Sequence, residues 1–359
     1  MSSTGPTSSS RALEAILPLV AAGQPYEAHQ KARTFAARYT KSGAHAITID
    51  VLFQSARELL KAGNPGSGTD LTLLLLESYE RANEPVGDVS RGRITQLIAL
   101  VGPSGAWRKS IIDRSVAWSA KQGGYPAGDP ALQHYIGDLL HKENDFVGAE
   151  PHLLAAGTRD SARLLAQVYF DWAKASNSLE SHAGTFALRA VLPYATHSRT
   201  PPSRFIICRY LLNGNILAAR TFLGAFIPYV SSSGTALPIG STGDEITFTP
   251  DPLLNFAQLA VRSVQRAAGS QNRTAREAWI RLCGTYQSRS ALLAQPEIRV
   301  VLDELGTLYF DLQPPRTANA NPFGDIMSSL FGGAPGSSVS ATAPRTITPG
   351  AVRAQLALD

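Results

Sequence analysis

Short helix-forming segments follow one another from residue 11 to residue 310, and they constrain this chain more than any other feature. Apolar residues recur every three or four positions within each segment, and Gly, Pro or Asn stands at nearly every junction. Short helices with one apolar side must pack against one another, so the pattern predicts an all-α protein. The predicted helices are Arg11–Val20, Glu27–Tyr39, Ala46–Leu60, Asp70–Ala82, Ile94–Leu100, Trp107–Lys121, Pro130–Lys142, Phe146–Ala155, Ser161–Lys174, Thr185–Pro193, Arg204–Leu212, Ile216–Phe226, Leu253–Arg266, Thr274–Gln287 and Glu297–Phe310.

A turn motif recurs irregularly along these helices. Around Gly23, Asn144 and Gly214, a large apolar residue precedes the turn, an apolar residue lies three positions after it, and an alanine lies five positions after it. This is the pattern of a helix, a tight left-handed turn and a second helix that approaches closely. It resembles the turn of tetratricopeptide-like helix pairs, so we predict an α-solenoid of such pairs. A compact helical domain is the alternative.

One internal segment departs from the helical pattern. Residues 230–252 are rich in Ser, Thr, Gly and Pro, and Glu245–Thr249 alternates polar and apolar residues. This predicts a β-hairpin arm between two helices. Because a lone hairpin is marginal in water, we expect it to pack on the helices or on a partner.

Both termini are predicted to be disordered. Residues 1–10 are polar, and residues 313–359 are rich in Pro, Ser, Ala, Gly and Thr. Within the C-terminal tail, residues 321–333 form an apolar island whose spacing fits one helical face, or a chance cluster. The first ten residues lack the apolar segment of a secretory signal.

Composition excludes several classes of protein. Mean hydropathy is −0.05, and no apolar run is long enough to predict a membrane-spanning helix, so direct membrane insertion is not expected. Two cysteines cannot build a disulfide framework or a four-cysteine zinc site, and they suit the cytosol. The net charge of +5 comes from the C-terminal half, where seven dispersed arginines lie between residues 262 and 299, and it does not form the dense patch of a nucleic-acid-binding protein.

Catalytic and cofactor signatures are missing from the sequence. It contains no phosphate-binding loop, dinucleotide fingerprint or nucleophile elbow, and residues 63–68 are predicted to be a flexible glycine-rich loop. His134, His141 and His152 are interpreted as surface or packing residues, and Cys208 as a buried thiol. We therefore predict no catalytic residues, no cofactor and no metal, and an enzyme is the least favoured class.

Two polar features stand out in the N-terminal half. Lys31, Arg38 and Lys41 are spaced to share one face of the second helix, and such a basic stripe can recruit an acidic protein surface. Ordinary solvation is the simpler interpretation of that stripe. Asp70 opens an apolar helix, where a carboxylate caps the helix and interacts favourably with its dipole.

Three strings identify a resemblance. They are Gly23–Gln30 with Arg33, Ser67–Leu71, and Asn255–Leu259 with the arginines that follow it. Together they resemble the cytosolic adaptor of the guided-entry-of-tail-anchored-proteins pathway, the Golgi-to-ER traffic protein four family. The resemblance covers residues 11 to 312.

The resemblance implies a non-enzymatic scaffold that targets tail-anchored proteins to the endoplasmic reticulum. Residues 11–150 would face a dimeric targeting ATPase and favour its closed, nucleotide-bound form, and they contain the basic stripe and Asp70. Residues 151–312 would bind a ubiquitin-like-domain protein. The implied docking residues are Ile246, Phe248, Leu253, Leu254 and Phe256. A helical scaffold subunit of another cytosolic complex, such as a proteasome-lid-like assembly, is the alternative.

Overall fold

The computed structural model describes residues 8–103, 105–177, 179–191, 210–232, 240–241, 246–267 and 272–313, which all belong to one compact unit that ends at Pro314. Within these residues the chain forms fourteen α-helices and one two-stranded sheet. The helices are α1 Ser8–Ala21, α2 Pro25–Lys41, α3 His45–Lys61, α4 Pro65–Ala82, α5 Asp88–Leu100, α6 Trp107–Gln122, α7 Pro130–Lys142, α8 Phe146–Ala156, α9 Arg159–Ala175, α10 Leu179–Val191, α11 Ile216–Ser232, α12 Pro252–Arg266, α13 Arg273–Gln287 and α14 Pro296–Phe310; the strands are β1 Gly240–Ser241 and β2 Thr247–Phe248.

The first four helices are joined by turns of one kind. Gly23, Gly43 and Gly63 lie just past the ends of α1, α2 and α3 with φ of 71°, 74° and 75°. A left-handed residue at this position closes a helix and returns the chain sharply, which glycine does without a side-chain clash. Successive helices therefore pack side by side as an α-solenoid of helix pairs, as predicted.

The glycine-rich segment between α3 and α4 corrects one prediction. Of residues 63–68, only Gly63 and Asn64 lie in the turn, because α4 begins at Pro65 and continues through Gly68. A Cβ on Gly68 would lie 2.4 Å from Cγ of Leu60, so the glycine lets α3 and α4 pack in direct contact. Asp70 consequently lies inside α4 and is not the helix cap that the sequence predicts.

Apolar side chains form two core clusters. One gathers buried residues of the first seven helices between Ala12 and Ile136, and the other gathers buried residues between Ala149 and Phe310. Leu140 packs against both clusters. The core is therefore continuous along the described helices.

Polar side chains also join neighbouring helices. In the buried cluster around Glu150 of α8, Tyr169 of α9 donates to Oε1 at 2.8 Å, and Arg189 of α10 donates through Nε and Nη2 at 2.6 Å each. Nearer the N-terminus, Arg108 of α6 donates hydrogen bonds to the backbone carbonyl of Val101 and to the carboxylate of Glu143. Glu150 and Arg108 are buried, and each is paired with an opposite charge, as buried charges must be.

The predicted hairpin arm is present. Strands β1 and β2 pair antiparallel, with Gly240 opposite Phe248 and Ser241 opposite Thr247. The arm begins later than residue 230 because α11 runs on to Ser232 through Pro228.

The remaining differences lie at the ends of elements. Helix α1 begins at Ser8, so residues 8–10 are helical although disorder was predicted for them, and α10 begins at Leu179, earlier than predicted. Residues 210–213 form turns at the end of the predicted helix Arg204–Leu212, and the rest of that helix lies outside the described residues. The tail prediction, including the apolar island, also lies outside them beyond residue 313.

Candidate partner-binding surfaces

The basic stripe lies on the solvent side of α2. Ala28, Ala32 and Ala36 form the buried side of this helix, whereas Lys31, Arg38 and Lys41 are exposed. In the described part of the chain, no carboxylate lies within ion-pair distance of these three cations. Lys41 and Arg38 also stand in the last turn, where cations favour the helix dipole. Among the described residues the stripe is thus a set of positive charges without an ion-pair partner, on a helix fixed by close alanine packing.

Asp70 lies on α4 and contacts α2, the helix that carries the stripe, but it does not belong to the stripe. Its Oδ2 lies 2.7 Å from Nε2 of His29 and accepts a hydrogen bond from Nη1 of Arg33 at 2.8 Å. The carboxylate is 42% exposed. Asp70 therefore holds α4 against α2 and still presents an oxygen to solvent.

An exposed aromatic residue, Tyr26, was not singled out as a site residue from the sequence. It is the second residue of α2 and is 72% exposed. Arg33 stands seven positions later on the same helical face, beside the Asp70 contact. An aromatic ring next to charged groups is typical of a protein interface. An apolar residue at the start of a helix and outside its alanine face was the signal available in the sequence.

The base of the arm is organised by Asp251. Its carboxylate accepts from the backbone N–H groups of Leu253 and Leu254, which caps α12, and from the N–H of Gly184 in α10 at 2.8 Å. A Cβ on Gly184 would lie 2.5 Å from both oxygens of that carboxylate. Glycine therefore permits the arm to join α10 at this point.

The five predicted docking residues divide into two groups. Leu254 and Phe256 are fully buried in the core, and Ile246 is only 7% exposed, so these three do not present a surface to a partner in this structure. Phe248 and Leu253 are half-buried and keep part of their side chains accessible. The family resemblance implied all five as one docking surface, and a resemblance does not show which of them face the core in this chain.

Two amide side chains of α12 bind the backbone of the arm. Gln258 accepts from the N–H of Thr247 at 2.9 Å and donates to its carbonyl at 2.8 Å. Asn255 accepts from the N–H of Thr249 at 2.8 Å and donates to its carbonyl at 2.7 Å. Neither residue was predicted as a site residue, although both lie in the string that carried the family resemblance.

The histidines of α7 and α8 each bind a polar side chain from another helix. His134 pairs with Ser161 at 2.9 Å, His141 with Asp171 at 2.9 Å, and His152 with Gln133 at 2.6 Å. Burial lowers the pKa of His152 from 6.5 to about 4. In the described ranges no three His, Cys, Asp or Glu side chains are grouped to hold a metal ion.

The described cysteine is not activated as a nucleophile. Burial raises the pKa of the Cys283 thiol to about 12, and the charge of Asp303 adds to the shift. At neutral pH the thiolate that would attack a substrate is thus almost absent. Cys208, interpreted as a second buried thiol, lies outside the described residues.

Two further sequence expectations can be followed into the structure. The dispersed C-terminal arginines include Arg273, which pairs with Glu277, and Arg276, which donates to the backbone carbonyl of Asp311 just past the end of α14. Two of these arginines therefore make local contacts within the helical unit. None of the helices in the described ranges is both long and apolar enough to cross a membrane.

Comparison with known proteins identifies relatives over most of the chain. Residues 42–331 match the family described as Golgi to ER traffic protein 4. Golgi to ER traffic protein 4 of Aspergillus fumigatus is 30% identical over 88% of this chain and 87% of its own length, and the Homo sapiens homolog is 24% identical over 86% of this chain and 83% of its own length. The crystal structure of C. therm. Get4 superposes with a TM-score of 0.73 and 33% identity, over 94% of this chain and 99% of that one. The chain therefore belongs to the Golgi to ER traffic protein 4 family.

Proposed function

We propose that this Golgi-to-ER traffic protein is a non-enzymatic scaffold that joins a targeting ATPase to a ubiquitin-like-domain co-chaperone in the cytosol. The observation that carries the proposal is the presence of two different surfaces, a basic stripe on α2 and an apolar arm beside α12, on helices packed into one unit. Two partners held on one scaffold meet at a high effective concentration, so a tail-anchored client would pass between them without dissociating into bulk solution.

The basic stripe is the proposed contact with the ATPase. Three exposed cations attract an acidic surface and raise the association rate, and this attraction weakens as salt is added. The scaffold would favour the closed, nucleotide-bound ATPase only by binding that state more tightly than the open one. Asp70, which pairs with Arg33 of the same helix, and the exposed Tyr26 are proposed as further contacts with the ATPase.

Charge reversal tests the ATPase surface. Lys31→Glu with Arg38→Glu should weaken binding to the ATPase by about tenfold or more at low salt, because like charges then face each other. The remaining affinity should depend less on salt. Arg281→Glu with Arg299→Glu is the matched control, since both arginines are exposed and lie on α13 and α14, whose buried residues belong to the other core cluster. Equal low-salt affinity of the stripe variant and the wild type would overturn this assignment.

The arm is the proposed contact with the ubiquitin-like-domain protein. Phe248 and Leu253 supply its accessible apolar area, whereas Ile246, Leu254 and Phe256 are buried. Half-buried apolar side chains at the base of a hairpin leave an apolar surface that becomes fully buried when a partner binds it.

Paired substitutions test the arm. Phe248→Asp with Leu253→Asp should abolish co-purification of the ubiquitin-like-domain protein while the helical circular dichroism signal is unchanged. Leu308→Asp is the control, because Leu308 is 40% exposed and lies on α14. Co-purification that persists in the arm variant would count against this surface.

Membership of the family argues against a scaffold subunit of an unrelated complex. Affinity purification of the full chain from native cytosol, followed by mass spectrometry, separates the two classes. The proposal expects a ubiquitin-like-domain protein and an ATPase, whereas recovery of proteasome-lid-like subunits instead would overturn it.

A further inference from the structure

The strand of the arm is fastened along both of its edges. Thr247 and Thr249 point their backbone groups toward α12, where the amides of Gln258 and Asn255 bind them as a neighbouring strand would. Phe248 points its backbone groups the other way and pairs with Gly240 of β1. Thr247 and Thr249 can both reach α12 because alternate residues of a strand share one edge. Asn255 and Gln258 can both face that edge because helix residues three apart share one face.

This arrangement decides how a partner can approach the arm. From Thr247 to Thr249 the backbone groups that face α12 are already hydrogen-bonded, so that edge is closed to an added partner strand. Contact with a partner must instead come through side chains, and Phe248 is the half-buried apolar residue that the strand offers.

The side-chain amides of Asn255 and Gln258 also stabilise the strand, which is too short to be stable by itself. A hairpin with two-residue strands is marginal by itself, and Ile246 and Thr249 remain buried only while the strand lies on α12. Without the amides, four backbone groups at this partly buried site would lose their partners, which disfavours the docked strand.

We propose that Asn255 and Gln258 are positioning residues for partner docking: they lock β2 onto α12 and so fix Phe248 in its binding position before the partner arrives. Ordering the arm in advance spares the partner the entropic cost of ordering it during binding. The identity of the partner, a ubiquitin-like-domain protein, rests on the proposed function, whereas the locking of the strand does not.

Hydrogen exchange on the full-length chain tests the lock directly. Gln258→Ala should speed exchange of the Thr247 amide by about tenfold or more, and Asn255→Ala should do the same for the Thr249 amide, while the helices keep their protection. Gln265→Ala is the matched control, because Gln265 is a half-buried glutamine of the same helix that accepts from Arg262. Unchanged exchange in both arm variants would overturn the inference.

A near-isosteric variant separates hydrogen bonding from packing. In Gln258→Glu the carboxylate can still accept from the Thr247 N–H, but it cannot donate to the Thr247 carbonyl. Protonation restores that donor, so the protection factor at Thr247 should rise again as the pH falls through the carboxyl pKa, normally about 4.3. The Gln258→Ala variant should show no such recovery. Identical pH profiles of the two variants would mean that Gln258 acts only by filling space, which overturns its assigned role.

Partner binding completes the test. With the ubiquitin-like-domain protein that co-purifies with the wild type, Asn255→Ala combined with Gln258→Ala should lower affinity about tenfold or more while the thermal midpoint of the helices stays near that of the wild type. Faster exchange with unchanged affinity would overturn the positioning role. If no ubiquitin-like-domain protein co-purifies with the wild type, the proposed function fails, and the exchange data still decide whether the amides lock the strand.

Discussion

Removing the carboxylate of Glu150 should destabilise the helical unit strongly. Three hydrogen bonds of 2.6 to 2.8 Å converge on it from two other helices, and it is 8% exposed. Glu150→Ala deprives the guanidinium of Arg189, itself only 28% exposed, of the Glu150 carboxylate, and the buried hydroxyl of Tyr169 of its acceptor. Breaking a buried pair in this way costs about 3–5 kcal/mol.

The expected change can be measured by thermal and urea unfolding. At about 2 °C for each kcal/mol in a chain of this size, the thermal midpoint should fall by about 6–10 °C. Glu150→Gln should cost less, because its carbonyl oxygen can still accept from Tyr169 and from Nε of Arg189. Glu304→Ala, which removes an exposed carboxylate from α14, should change the midpoint very little.

A double-mutant cycle gives the decisive comparison. If Glu150 acts mainly through Arg189, the double variant with Glu150→Ala and Arg189→Ala should lose far less stability than the sum of the losses in the two single variants. A loss below about 1 kcal/mol for Glu150→Ala, or strictly additive single changes, would refute the reasoning that this charge is stabilised by its pairing.

Three further outcomes are expected. Because burial lowers the pKa of His152 to about 4, the unfolded state binds more protons than the folded state between pH 4 and 6.5. The free energy of unfolding should therefore fall as the pH drops through this window. In urea unfolding at several pH values, His152→Gln should make that pH dependence weaker. Gly68→Ala should lower the free energy of unfolding by about 1–3 kcal/mol, because the added Cβ overpacks the contact between α3 and α4. Gly66→Ala should be neutral or slightly stabilising, because its Cβ would lie 3.7 Å from Trp107. Equal unfolding midpoints for the two variants would contradict the close α3–α4 packing. Alkylation of Cys283 should be slow at pH 7 and should accelerate in denaturant, since burial raises the pKa of its thiol to about 12, and fast native labelling would show that the thiol is accessible.

The sequence predicted the helices well where local chemistry decides their ends. The turn at Gly23 and the start of α7 at Pro130 follow from a left-handed glycine and from a proline in the first turn. Prediction failed at α4, where Gly66 and Gly68 suggest a loop. That failure has a tertiary cause, because Leu60 of the neighbouring helix occupies the space that a side chain on Gly68 would need.

The candidate surfaces were predictable in part. The spacing of Lys31, Arg38 and Lys41 is a local property, so their shared exposed face follows from helical geometry. The prediction that Asp70 caps a helix was wrong because α4 begins at Pro65, and the contacts of Asp70 with His29 and Arg33 come from another helix. No local pattern shows which carboxylate meets which cation across a helix pair.

By itself, the sequence determined that this chain forms paired helices with one hairpin arm, and its characteristic strings were enough to suggest the family. Periodicity, prolines and glycines act within a few residues, so those features can be inferred without knowing what packs where. Only the tertiary structure decided that Leu254 and Phe256 face the core, that Phe248 stays accessible, and that the amides of Asn255 and Gln258 bind the strand. Burial and pairing of this kind depend on the close approach of segments that fold separately along the chain, and no single segment encodes that approach.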